Sequence, residues 1–174
     1  LDVSWDEALK MAVPAMLEAD TKEEYGKVLS AIGVYTNDSH TNSAYMPKSI
    51  FKRLIRMAKA PSNKQFAAPF ITDKYYDGKY YVTWALGESE QDLVRGDAII
   101  AINGESVDDY VARKGCYLAT SNELTIPRDL ALSVSMSEDD SQTYTVIRNK
   151  DTLTLTPQMK PVRKFRRELY KSGI

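Results

Sequence analysis

Apolar residues Trp5, Leu9, Ala12, Val13, Met16 and Leu17 recur at about every third or fourth position, the spacing that gives a helix one buried stripe. Ser4 stands three residues before Glu7. That is a capping box, in which the hydroxyl accepts an amide N–H and the carboxylate reaches back. Pro14 lies inside the pattern and predicts a kink, because it removes a backbone donor. Thr21 to Glu24 is a second capping box, and Tyr25, Val28, Leu29, Ile32 and Tyr35 continue a helical stripe. The stripe ends in the polar run Thr36 to Asn42, which reads as a loop. Pro47 suits a first helical turn, and Ile50, Leu54, Ile55 and Met57 predict a third helix over 47–59. Its outer face is basic, with Lys48, Lys52, Arg53, Arg56 and Lys59, and 60–64 reads as a linker.

From Phe66 the period changes from helix to strand. Phe70–Tyr76 and Lys79–Leu86 are β-branched and aromatic runs on either side of Asp77-Gly78, the dipeptide that supplies the positive φ angles of a tight hairpin turn. Ala98–Ile102 is a short apolar strand running into Asn103-Gly104, and Ser106 then opens a helix to about Cys116. A further helix is predicted over Pro127–Met136, Glu138-Asp139-Asp140 is an exposed acidic turn, and Thr143–Ile147 with Thr152–Thr156 form a last hairpin around Asn149-Lys150. The basic tail from Lys160 fits helix and coil equally. The fold class is therefore α+β: a small helical unit over 1–60, a β-rich unit over 66–158 and a tail over 159–174.

Composition narrows the function classes. With 174 residues and 43% hydrophobic residues the chain can bury a real core. A net charge of -1 gives no global field toward nucleic acid or an anionic membrane. One Cys and one His exclude an internal disulfide and a multi-histidine metal centre. No apolar run reaches the length of a membrane span. No phosphate loop, nucleophile elbow or calcium loop is present, so no cofactor and no metal are expected.

Two segments carry a resemblance. Leu93-Val94-Arg95-Gly96-Asp97-Ala98-Ile99-Ile100-Ala101-Ile102-Asn103-Gly104 resembles the signature of a bacterial-type PDZ domain. The glycine permits a tight turn, the aspartate caps it, and the apolar run is a buried strand. Val3-Ser4-Trp5-Asp6, followed by Asp38-Ser39-His40-Thr41, resembles the N-terminal part of the tail-specific (C-terminal-processing) serine peptidase family, in particular its tricorn-like branch. That family orders a helical region, a PDZ-like domain and an α/β protease core. The resemblance implies a PDZ-like β-barrel or sandwich over 66–158. It also implies a protease core after Ile174, absent from this chain and carrying the nucleophilic serine, so that the chain alone is expected to be inactive.

The resemblance assigns His40 as the general base and Ser39 as an auxiliary hydroxyl. An imidazole titrates near neutrality, as a base for a serine requires. In the family's Ser/Lys branch His40 has no catalytic duty. Asp38 either orients His40 or caps the preceding helix. A PDZ-like unit implies strand addition of a peptide, here the C-terminus of an unfolded protein, with its carboxylate on backbone amides around Ala67–Ile71. Phe70 and Ile71 would line the apolar pocket or belong to the core, and Pro69 lacks an amide donor. The implied partners are that peptide and the protease core, with no nucleic acid and no membrane span, and the implied location is periplasmic or secreted. The alternative readings are a non-catalytic peptide-binding module and a scaffold that binds a lipophilic ligand.

Overall fold

A computed structural model describes residues 4–36, 65–87, 89–120 and 122–173. Helix α1 spans Trp5–Glu18 and α2 spans Lys22–Val34, and the two pack on each other. Ser4 Oγ accepts the Glu7 amide, and Pro14 lies within α1, which runs through it as one helix. At α2 the reciprocal capping box is complete: Thr21 Oγ1 accepts from the Glu24 amide at 3.1 Å, and Glu24 Oε2 accepts from the Thr21 amide at 3.0 Å. The third helix expected over 47–59 lies outside the described residues.

The rest is α+β, as expected, and its strands pair antiparallel. Strands β1 (Phe66–Ala67), β2 (Phe70–Tyr76), β3 (Lys79–Ala85), β4 (Ala98–Ile102) and β5 (Glu105–Ser106) lead into helix α3 (Val107–Gly115). A 3₁₀ turn (Glu123–Thr125) precedes the short helix α4 (Ile126–Ala131). Strands β6 (Met136–Ser137), β7 (Tyr144–Arg148), β8 (Asp151–Leu155) and β9 (Lys160–Pro161) follow, and helix α5 (Val162–Lys171) ends the chain.

The larger sheet has the order β2-β3-β4-β7-β8, with β5 beside β4, and a small sheet has the order β6-β1-β9. The larger sheet is open at β2 and β8, so the expected barrel is not closed among the described residues. Both hairpin turns read from sequence form with positive φ: 49° at Asp77 and 69° at Gly78, then 52° at Asn149 and 77° at Lys150. The helix expected over Pro127–Met136 is shorter than its pattern, because Met136 leaves it to pair with Ala67.

The main core joins Phe70, Tyr80, Val82, Leu93, Ile99, Val107, Val134, Tyr144 and Val146. A second cluster lies under α5, where Val162, Phe165 and Leu169 meet Ala67, Ile71 and Trp84. No helix among the described residues is long and apolar enough to cross a membrane.

Candidate functional site

The PDZ-like signature folds around a buried carboxylate. Gly96 has φ 97°, a conformation that side chains with a Cβ disfavour. It turns the chain so that Asp97, only 1% exposed, points inward. Asp97 Oδ2 accepts the Val94 amide at 2.9 Å and closes the turn. Arg148 at the end of β7 clamps the same carboxylate, Nε to Oδ1 at 2.8 Å and Nη2 to Oδ2 at 2.7 Å, and also donates to the Asp92 carbonyl at 3.1 Å. Two parallel charge-assisted bonds fix both partners in one plane. The carboxylate raises the arginine's pKa further above its ordinary value. The motif's aspartate is thereby occupied in holding β4 to β7.

Phe70 and Ile71, expected to line a peptide pocket, lie on β2, which packs against α4. Phe70 is fully buried, with its ring edge-on to Tyr144 at a centroid distance of 5.1 Å, and it packs with Ala68, Ala131 and Val134. Ile71 is half-buried and packs into the cluster beneath α5. Successive residues of a strand face opposite ways, which sends these neighbours to two different clusters. The loop amides are engaged within the chain: Ala68 N–H donates to the Ser135 carbonyl and Phe70 N–H to the Ala68 carbonyl, both at 2.8 Å.

Side chains from β3, α3 and β7 with its approach tie α4 and its exit down against the sheet. Tyr80 Oη donates to the Pro127 carbonyl at 2.8 Å. Tyr144 Oη and Gln142 Nε2 both donate to the Val134 carbonyl at 3.0 Å. Tyr110 Oη and Ser133 Oγ share a hydrogen bond of 3.2 Å. Burial pushes the Tyr80 and Tyr144 phenols well above their ordinary range. They stay protonated donors, suited to fastening a carbonyl and unsuited to taking a proton from a substrate.

His40 and Ser39, the expected base and its auxiliary hydroxyl, lie outside the described residues, as does Asp38. Sequence reasoning missed Arg148 and the fastening tyrosines Tyr80, Tyr110 and Tyr144. The sign that Arg148 belongs with Asp97 is the register, in which Ala98 stands opposite Ile147 across β4 and β7.

No family model matches the chain, and no curated protein does. Among solved structures, the chain is similar to mature CPAF complexed with lactacystin, with a TM-score of 0.60 and 17% identity. It is similar also to mature CPAF in a separate crystal structure, with a TM-score of 0.59 and 15% identity. Each match covers 90% of this chain and 29% of the other. The chain thus shares a fold along nearly its whole length with proteins of which it spans less than a third.

Proposed function

We propose that the chain is the helical and PDZ-like portion of a serine peptidase that processes or degrades peptide tails. The observation that carries this reading is the fold shared over 90% of the chain with mature CPAF, a chlamydial serine protease with a PDZ-like domain. The signature Leu93–Gly104 supports it, since its turn and strand occupy the heart of the β-rich unit. Membership of the tail-specific, tricorn-like branch and a periplasmic or secreted location are the finer parts of the proposal.

In this reading His40 is the general base for a serine on a protease core, and Ser39 orients the imidazole by a hydrogen bond. The PDZ-like unit guides the substrate. Among the described residues β2 ends its sheet with no strand on one side, and an extended tail adds there by main-chain hydrogen bonds. Phe70 and Ile71 back that edge from inside the fold. A tail carboxylate needs amides that Ala68 and Phe70 already commit, so guidance rests on the strand edge rather than on an end-on cradle.

The test is cleavage of a labelled, unstructured reporter protein by the polypeptide as its gene encodes it. His40→Ala lowers kcat by roughly 10²- to 10⁴-fold, the range of a lost general base. A variant that keeps the full rate removes His40 from the mechanism. Reporter tails with a free and an amidated C-terminus should bind within about twofold of each other if the edge carries guidance; a preference of tenfold or more for the free acid, worth about 1.4 kcal/mol, contradicts that.

A further inference from the structure

Strand β8 lies at one end of the larger sheet, and among the described residues no strand stands on its outer side. Its register with β7 fixes which backbone groups point there. Asn149 and Lys150, both at positive φ, form a two-residue turn, so Arg148 and Asp151 are the flanking pair that exchanges both hydrogen bonds. The pairs then follow without a shift: Ile147 with Thr152, Val146 with Leu153, Thr145 with Thr154 and Tyr144 with Leu155. Thr152 and Thr154 therefore sit in the pairs that exchange no bonds, and their N–H and C=O groups point away from β7. Both threonines are exposed, whereas Leu153 between them is half-buried and packs on the main core.

The two end strands of this sheet differ. In β2 the register shifts twice, on either side of Thr72, and the strand carries Asp73 and Lys74. Bulges and charges keep one sheet edge from meeting another. A flexible tail can follow such an edge, and a second rigid strand cannot. β8 has no register shift, and from Thr152 to Leu155 it has no charge and no proline. A regular, uncharged edge is the kind that pairs with another strand.

We propose that β8 pairs antiparallel with β8 of a second copy of this chain, about a two-fold axis through Leu153. The run Thr152-Leu153-Thr154 reads the same in both directions, which favours a second copy over an unrelated strand. In this register Thr152 faces Thr154 of the second copy, Leu153 faces Leu153, and the outward groups of both threonines are all used. An axis at Thr152 or at Thr154 carries the partner of the other threonine beyond the ends of β8. Cross-strand threonine pairs are favourable, and Asp151 faces Leu155, so no like charges meet. The contact is a single strand pair, smaller than the interfaces of permanent dimers, so association is reversible and depends on concentration. This surface is independent of the peptidase reading.

The experiment is sedimentation velocity on the full chain at increasing concentration, up to about 1 mM. The sedimenting mass should rise reversibly from one chain toward two. Thr154→Pro removes an outward N–H and no bond to β7, so it should keep the parent's melting curve and weaken the dimer by roughly tenfold or more. A second test needs no proline. Thr152→Lys/Thr154→Lys and Thr152→Glu/Thr154→Glu each set like charges opposite one another across the axis. Each alone should stay a monomer, and a mixture of the two at low salt should form the mixed dimer. The proposal is overturned if the parent chain stays a monomer throughout, or if its dimer survives in folded Thr154→Pro or in either charged variant. Failure of the two charged variants to associate on mixing also overturns it. If Thr154→Pro does not fold, the charged variants decide alone. The readout is mass and not cleavage, so either outcome leaves the peptidase reading to its own test.

Discussion

Arg148 and Asp97 form a pair whose two halves lie far apart in sequence and whose carboxylate is almost wholly out of water. Removing one partner of such a pair strands the other charge, a larger loss than the pair's net worth. Arg148→Ala should lower unfolding free energy by about 3 kcal/mol, read as a lower urea midpoint with an unchanged slope. A midpoint within error of the parent chain would show that water solvates Asp97 once the arginine is gone. Gly96→Ala tests the same turn from the backbone side: its cost should be about 1–2 kcal/mol, because φ is 97° and no neighbouring atom blocks a Cβ. At this scale the sequence displayed half of the site. Gly96 and Asp97 are adjacent and carry a local rule, whereas Arg148 joins them only through strand pairing, which no local pattern encodes.

The elements were legible where their signals were local. The Asp77-Gly78 and Asn149-Lys150 hairpins and the capping box of α2 all form where the residues predict them. The helix expected over Pro127–Met136 stops at Ala131, and Met136 is taken by β1. Strand pairing outcompetes a helical period that Leu130 and Val134 satisfy equally well. A pH prediction belongs here. Arg113 on α3 donates to Glu105 on β5 through Nε at 2.7 Å and lowers the carboxyl's pKa, and hydrogen bonds from Thr21 lower that of Glu24 at the start of α2. A carboxylate with a depressed folded pKa stabilises the fold above its unfolded value of about 4.3 and loses that contribution as pH falls through the folded value. Glu105→Gln should therefore lower the urea midpoint at neutral pH, and the two curves should converge as pH falls below the unfolded value and through the lowered folded one. A difference that persists undiminished in acid would mean that the carboxylate charge contributes nothing.

For the whole molecule, the boundary of the β-rich unit is the open question, since the sequence pattern places its end at 158 and leaves 159–174 as a tail. The spatial arrangement argues for continuity. β9 pairs with β1, so Lys160 and Pro161 stand opposite Ala67 and Phe66, and Val162 N–H donates to the Gln65 carbonyl at 3.0 Å. The tail thereby closes on the first residues of the unit. Its charges disguised this in sequence, because five cations in ten residues left helix and coil equally open, while the apolar Val162, Phe165 and Leu169 between them form the helix's buried side. Phe165 is 2% exposed and sits between Ala67 and the partly buried Ile71 and Trp84. If α5 is part of one cooperative unit, Phe165→Ala should cost about 3–5 kcal/mol, the range for truncating a buried aromatic ring, and the loss should appear in the single unfolding transition of the sheet. If α5 unfolds independently, the main transition keeps its midpoint and only a small helical signal is lost. Tryptophan fluorescence distinguishes the two outcomes, because Trp84 lies in the cluster that α5 covers and Trp5 lies on α1. Replacing Trp5 by Phe leaves Trp84 as the sole reporter, and its emission should shift to the red together with the loss of sheet dichroism in the first case and ahead of it in the second.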